Sequence, residues 1–318
     1  MIQLATITAA HTPALIAAAG DRASYRFLEF FAGQIRNANS RRAYLRATGR
    51  FLAWLEAQGV LSIAAVTSLH VAAYVEELTR RQKAPTVKQQ LAAIRRLLDW
   101  LAAGGVIPFN PASAVRGPSH SAKTGATPAL SPAEARQLLD SIDTTTPAGL
   151  RDRALIGLMV YSLARVGAAL GMSVEDAFSK NRRLWVRLLE KGGKRHEMPC
   201  HHNLEEYLHA YIDGCGLAAE PKKPLFRTIQ GRSGRLTGNA LAQSEAYRMI
   251  VRRCRAAGID TKAGNHTFRA TGITAYLKAG GTLERAAAMA NHASTRTTQL
   301  YDRRAEDVTL DEVERIGI

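Results

Sequence analysis

The stretch beginning at His266 carries side chains suited to work on a phosphate ester. It reads His266-Thr267-Phe268-Arg269, then Asn291-His292, then Tyr301. On a helix, His266 and Arg269 lie three apart on one face and can address one phosphate. Imidazole moves protons near neutral pH, whereas guanidinium stays charged and grips two oxygens at once. Tyr301 adds a hydroxyl that is a poor nucleophile until a base or a strong positive field assists it. Each of these residues alone is ordinary: surface helices carry His and Arg, and most tyrosines pack. Their conjunction is the signal.

Other chemistries find less support. The chain has no Walker-type phosphate loop and no dinucleotide fingerprint following a strand. It shows no convincing acidic cluster for two-metal phosphoryl transfer. His196, Cys200, His201 and His202 are close together, but they lack the paired second half of a metal site. His201-His202 reads instead as a helix start, so no metal and no cofactor is expected.

These residues need elements to position them. The first half reads as helices: Arg22 to Ile35, then a helix capped by Ser40 and ending near Ala57, a third over Ser68 to Gln82, and a fourth opening near Thr86. In the fourth, Leu91, Ile94, Leu98 and Leu101 recur at helical spacing, and Gly104-Gly105 stops it. Residues 113–128 are rich in Ser, Gly, Pro and Thr and read as a linker. Order resumes at Ser131-Pro132-Ala133-Glu134, a capping box with Pro at the first helical position. The spacing predicts helices near 151–170, 202–213, 238–256, 267–278 and 282–289. Between them, Leu184–Leu189 and His196–Met198 flank Lys191-Gly192-Gly193-Lys194, a turn suited to a β-hairpin. The expected fold class is mainly α with a small β-hairpin or sheet in the second domain. The expected division is 21–112, a linker 113–128, and 129–318.

Composition bounds the partner. The 318 residues are 46% hydrophobic and 22% charged, which suits a globular chain of two domains. Lys plus Arg number 43 against 27 Asp plus Glu, a net charge of +16 spread over both halves. Such an excess attracts a polyanion, nucleic acid before membrane. The longest apolar run, Ala154 to Ala164, is far short of a spanning helix, and the opening residues lack the basic segment of a signal peptide. Three unpaired cysteines imply no disulfide framework. A cytoplasmic, DNA-binding protein is the expectation.

The order Arg, Lys, His-x-x-Arg, His, Tyr resembles the tyrosine recombinase (phage integrase) family over almost the whole chain. Arg165 in LMVYSLARVGAALGM matches the family's first arginine, and Lys191 in EKGGKRHEMP matches its hairpin lysine. His266 and Arg269 match the His-x-x-Arg box, His292 the second histidine, and Tyr301 in TTQLYDR the nucleophile. The helical first half, its Asn110-Pro111-Ala112 exit and the linker resemble the family's core-binding domain and hinge. The resemblance implies a C-shaped clamp on DNA. Two departures stand out: Ala168 where the family commonly carries an acidic residue one turn after the first arginine, and Asn291 where it carries glycine.

The resemblance implies roles that chemistry supports. A phosphodiester under attack builds charge on its non-bridging oxygens, which Arg165 and Arg269 would neutralise. His266 would take the tyrosine proton, His292 would donate to a phosphate oxygen, and Lys191 would protonate the departing 5′ oxygen. Lys194, on the same turn, is the alternative acid. The product would be a 3′-phosphotyrosyl intermediate that conserves bond energy, so no added cofactor is required.

Candidate DNA contacts are Arg41 and Arg42 on one helix, Lys88 and Gln89 opening another, and Arg252 and Arg253 on a third. Most such residues meet phosphate and give affinity without sequence preference. The expected partner is double-stranded DNA with an inverted-repeat core site, bound by a homodimer and joined into a homotetramer in the synapse. Thr309-Leu310-Asp311-Glu312 forms a capping box before a small apolar stripe, a tail expected to link protomers. The expected activity is site-specific recombination, whether integration, excision or resolution. Its rivals are a type IB topoisomerase-like enzyme and a catalytically weak DNA-binding protein.

Overall fold

The computed structural model describes residues 12–121, 125, 127–190, 193–231, 233–302 and 313–316. The chain divides into two compact units, residues 1–121 and 122–318. No helix among the described residues is long and apolar enough to cross a membrane.

The first unit is all helical. It comprises α1 (Ala14–Ala17), α2 (Asp21–Glu29) running into a π turn at Phe30–Gln34, α3 (Ala38–Ala57), α4 (Ser68–Arg81) and α5 (Ala84–Ala103). Asn37, not Ser40, caps α3, because its side chain accepts from the backbone N–H groups of Asn39 and Ser40. Pro85 lies in the first turn of α5, where no backbone donor is lost, so that helix opens earlier than Thr86. Phe27, Phe30, Phe51, Leu55, Leu91, Ile94 and Leu98 share one buried core. The exit is pinned by two side chains. Arg95 donates to the carbonyls of Ala112 and Val115, and Asn110 donates to Arg95 and Asp99 while accepting from Ala112 N.

The second unit mixes helices with two small sheets. In order it holds α6 (Pro132–Asp140), α7 (Pro147–Tyr161), α8 (Val166–Leu170), β1 (Ala177–Lys180), β2 (Arg183–Leu189), β3 (Arg195–Pro199) and α9 (His202–Gly214). Then follow β4 (Arg227–Ile229), β5 (Leu236–Ala240), α10 (Gln243–Ala256), α11 (Thr267–Lys278), α12 (Leu283–Met289) and α13 (Thr295–Gln299). The Ser131–Glu134 capping box opens α6 as expected. His201 caps α9, its ring accepting from Asn203 N, which assigns this histidine a helix-start role.

Three differences from the sequence expectation matter. The helix expected over 151–170 is two helices, broken at Ser162–Arg165 where Leu163 adopts φ +54°. The two strands expected of a hairpin are β2 and β3 of a three-stranded antiparallel sheet, with β1 added on the other edge of β2. The start of the helix expected at 238 is instead strand β5, paired with β4.

Along β2 the pleat buries Leu184, Val186 and Leu188 and leaves alternate residues towards solvent. Helix α8 packs against β2, α7 packs against α9 and α11, and the buried face of β2 shares one core with these helices. Gly272 lets α11 approach α7: a Cβ there would sit 2.1 Å from the Val160 carbonyl oxygen and 2.5 Å from a Leu163 methyl.

Candidate active site

The break after α7 builds the first wall of the site. Leu163 turns left-handed, which swings Arg165 into the N-cap position of α8 with an extended backbone. The Arg165 side chain is one-third exposed, and one terminal nitrogen pairs with Oε2 of Glu190. Glu190 directly follows β2 and continues the buried side of its pleat; its side chain is 3% exposed. Ala168 is buried on α8 and supplies no charge. The acid beside the first arginine therefore comes from the sheet.

Arg269 is the third residue of α11 and is 2% exposed. Its two terminal nitrogens donate to the carbonyls of Leu163 and Ala290. Burial, and then the neighbouring Arg165 guanidinium, push its pKa down to about 10, against the opposing pull of Glu190 and Tyr301. It remains a cation at neutral pH. Both carbonyl anchors adjoin unusual backbone: Leu163 itself has φ +54°, and Asn291, next to Ala290, has φ +46°. The second value suits the glycine that the resemblance leads one to expect at this position. Asparagine is among the few other residues that enter the left-handed region readily.

His266 is exposed and stands at the N-cap of α11, one residue outside the helix. Desolvation and the charges of Arg269 and Arg165 hold its pKa below the usual imidazole value. His292 follows the Asn291 turn. Its Nδ1 and Thr298 Oγ1 share a 2.7 Å hydrogen bond, and its ring stacks on Tyr301. Burial, then Arg269 and Arg165, push His292 down to about 4. Both histidines are thus neutral at pH 7, able to receive a proton or to present an N–H.

Tyr301 lies in the turn after α13, half-buried, with its backbone held on both sides. Thr274 Oγ1 donates to Tyr301 O at 3.0 Å, and Tyr301 N donates to Thr298 O at 2.9 Å. Gly125 N donates to Leu300 O at 2.7 Å, and a Cβ at residue 125 would come within 2.5 Å of that oxygen. Arg165, Arg269, His266, His292 and Tyr301 thus converge from α8, α11 and the two turns after α12 and α13. Lys191 lies outside the described residues. Lys194 is exposed just before β3, and its carbonyl accepts from Glu190 N. Residues 309–312 of the tail also lie outside the description, whereas Val313 and Ile316 are exposed.

The candidate DNA contacts separate by environment. Arg41 Nε donates to Ile35 O, and Arg42 donates to Asn39 Oδ1 on the exposed side of α3. Lys88 and Gln89 are exposed on α5. An open groove of about 200 Å³ between α3 and α5 is lined by Arg46, Arg50, Thr86 and Gln89. On α10, Arg253 turns inward to fully buried Asp152, with Nε 2.9 Å from Oδ2, while Arg252 remains 63% exposed. Arg151 completes that buried cluster, pairing with Asp152 at 2.7 Å.

The sequence pattern of the phage integrase family matches residues 128–307, and that of the phage integrase N-terminal SAM-like domain matches residues 26–105. The tyrosine recombinase XerD of Corynebacterium glutamicum is 28% identical over 274 residues, covering 83% of this chain and 87% of that protein. The tyrosine recombinase XerC of Xanthomonas campestris pv. campestris is 27% identical over 266 residues, covering 83% and 78%. Two solved structures share the fold. The XerH site-specific recombinase in its post-cleavage complex with palindromic difH has a TM-score of 0.68 at 19% identity, covering 86% of this chain and 78% of that one. A lambda integrase (75–356) dimer bound to a COC′ core site has a TM-score of 0.67 at 16% identity, covering 90% and 95%. With more than half of its length matched by the family pattern and its relatives aligned across both units, the chain belongs to the phage integrase family of tyrosine recombinases.

Proposed function

We propose that this chain cuts and rejoins DNA at a specific site through Tyr301. The observation that carries this reading is the convergence of Tyr301, two neutral histidines and two guanidiniums in the second unit. In the proposed step the Tyr301 hydroxyl attacks phosphorus and gives its proton to His266. Arg165 and Arg269 take the charge that builds on the non-bridging oxygens, and the N–H of neutral His292 adds a hydrogen bond. The bond to the 5′ oxygen breaks, and that oxygen takes a proton from Lys191, with Lys194 as the alternative donor. The product is a 3′-phosphotyrosine and a free 5′ hydroxyl, and reversal with a different 5′ hydroxyl joins new strands.

Both units are proposed to contact the duplex. Arg41, Arg42, Lys88 and Gln89 would meet it from the first unit and Arg252 from the second, with Arg253 braced beneath by Asp152. The proposed substrate is an inverted-repeat core site holding a homodimer, with a homotetramer in the synapse. Support comes from relatives of this fold, solved as a dimer on a core site and as a tetramer on a Holliday junction. The tail after Tyr301 is proposed to link the protomers. Deleting residues 307–318 should abolish cooperative assembly on DNA.

Covalent capture tests the reading. Wild type and Tyr301→Phe are incubated with a nicked, fragmented library of source DNA, and the protein-bound fragments are sequenced after denaturation. A shared inverted-repeat site recovered by wild type alone is the expected result. Indiscriminate fragments would mark a topoisomerase-like enzyme, and no fragments above the mutant background would mark a DNA-binding protein.

A further inference from the structure

The acid that the family commonly places one turn after its first arginine is absent here, because position 168 is a buried alanine. A guanidinium that must meet a phosphate oxygen in one orientation still needs something to hold it. We infer that Glu190 has taken over this task, as the positioning residue that aims Arg165 at the scissile phosphate. This inference rests on the recombinase reading above.

Three observations carry it. First, Glu190 pairs directly with a terminal nitrogen of Arg165. Second, the carboxylate lies beneath the arginine and not across the mouth of the site. Glu190 is 3% exposed while Arg165 is 33% exposed. A carboxylate competing with phosphate would stand on the solvent side. This one leaves the outer donors of Arg165 free, and among the described residues the arginine side chain has no second hydrogen-bonding partner. Third, the position is built by the sheet. Alternation along β2 buries Leu184, Val186 and Leu188, and the next residue on that face is Glu190. Its backbone is locked by two hydrogen bonds across the turn, Glu190 N to Lys194 O at 2.8 Å and Gly193 N to Glu190 O at 3.1 Å. The site thus draws its acid from a strand end where the family commonly draws it from a helix.

The arrangement has a consequence for the hairpin. Glu190 immediately precedes Lys191, so one strand end both aims the first arginine and carries the proposed acid for the leaving oxygen. A change of hairpin position on binding DNA would reach both groups together.

The test uses the full chain, Glu190→Gln, and nicked duplexes that trap the Tyr301 adduct. One duplex carries a natural scissile phosphate and the other a methylphosphonate, whose neutral phosphoryl group no longer asks for a full guanidinium charge. On the natural phosphate, E190Q should slow adduct formation about 10- to 100-fold, the scale for losing a partner that orients a primary ligand. DNA affinity should stay within about twofold, and the penalty on methylphosphonate should shrink to less than about threefold, because the lost charge alignment is not needed there. Relocating the acid, in Ala168→Glu combined with E190Q, should recover part of the rate. An E190Q variant that cleaves like wild type overturns the inference. So does one slowed equally on both duplexes, which would mark a general structural defect. The pairing is also read without DNA: the guanidinium ¹⁵N–¹H signals of Arg165 should shift in E190Q, and unchanged signals overturn the pairing. A wild type that forms no adduct on either duplex overturns the recombinase reading instead, while the Arg165 signals still decide whether Glu190 holds the arginine.

Discussion

The imidazole of His292 lies parallel to the phenol ring of Tyr301, with 10° between their planes and 6.0 Å between their centroids. The two rings come from consecutive turns of one short segment, and Thr298 ties them together. Its hydroxyl shares a hydrogen bond with His292 Nδ1, and its carbonyl accepts from Tyr301 N. The proposed nucleophile and one proposed donor to the phosphate are therefore positioned by the same buried threonine. Disturbing α13 should move both at once.

The histidines make the fold sensitive to acid. His292 is pushed down to about 4 and His266 is also lowered, in each case by desolvation first and the two arginines next. Below pH about 6.5 the unfolded chain binds protons that the folded site refuses, so stability falls as pH drops from about 6.5 towards 4. Urea unfolding across that window should show the decline, and His292→Asn should flatten it. A wild-type stability that holds constant from pH 7 to 4.5 would contradict the lowered values.

Two left-handed residues bracket the anchors of Arg269, and they should respond differently to relief. Asn291→Ala should cost about 1 kcal/mol, because alanine enters the left-handed region less readily, whereas Asn291→Gly should be near neutral. Leu163→Gly also relieves about 1 kcal/mol of backbone strain but removes a buried leucine, a loss of about 2 to 5 kcal/mol, so it should destabilise. Leu163 packs with Ile273, Leu277 and Ala286. Chemical denaturation of the three variants checks the order.

Asp152 and Arg252 are neighbours with opposite expected phenotypes. Asp152 is fully buried between Arg151 and Arg253, so Asp152→Ala should cost about 3 to 5 kcal/mol by leaving buried guanidinium unpaired. Arg252 stands 3.9 Å from the same carboxylate but is largely exposed, so that contact is worth little. Arg252→Ala should leave the unfolding midpoint unchanged. It should weaken DNA binding across sequences and reduce the salt slope by about 1.

The choice between Lys191 and Lys194 is open to a leaving-group test. A 5′ thiolate departs without a proton, so a bridging phosphorothiolate makes the general acid dispensable. Lys191→Ala should cleave the natural bond slowly and the thiolate bond at nearly the wild-type rate. Lys194→Ala should resemble wild type on both. The reverse pattern would assign the acid to Lys194.

Much of this candidate site is legible in the sequence, because its signals are local. The His-x-x-Arg spacing, the His292 and Tyr301 positions and the Ser131–Glu134 cap each sit within a few residues. What stayed hidden depends on distant parts meeting. Nothing local marks the break at Leu163, since residues 154–164 contain no proline and read as one apolar helix. The break is enforced by Arg269, which takes the Leu163 carbonyl, and by the cluster that takes its side chain. Likewise the sequence shows two adjacent arginines at 252 and 253, and only Asp152, a hundred residues away, selects the one that turns inward. The absence of an acid at Ala168 was visible. Its replacement by Glu190 was latent in the alternation of β2, but the partner of that buried face appears only when α8 packs against the strand.

The central claim is that Tyr301 forms the covalent bond to DNA, and peptide mapping tests it most directly. Wild type is trapped on a nicked duplex bearing the recovered site and digested with protease and nuclease, and the nucleotide-bearing peptide is sequenced by mass spectrometry. The account predicts a 3′-phosphate on Tyr301 in wild type and no adduct in Tyr301→Phe, with DNA affinity retained. An adduct on another residue, or one that persists in Tyr301→Phe, would contradict it.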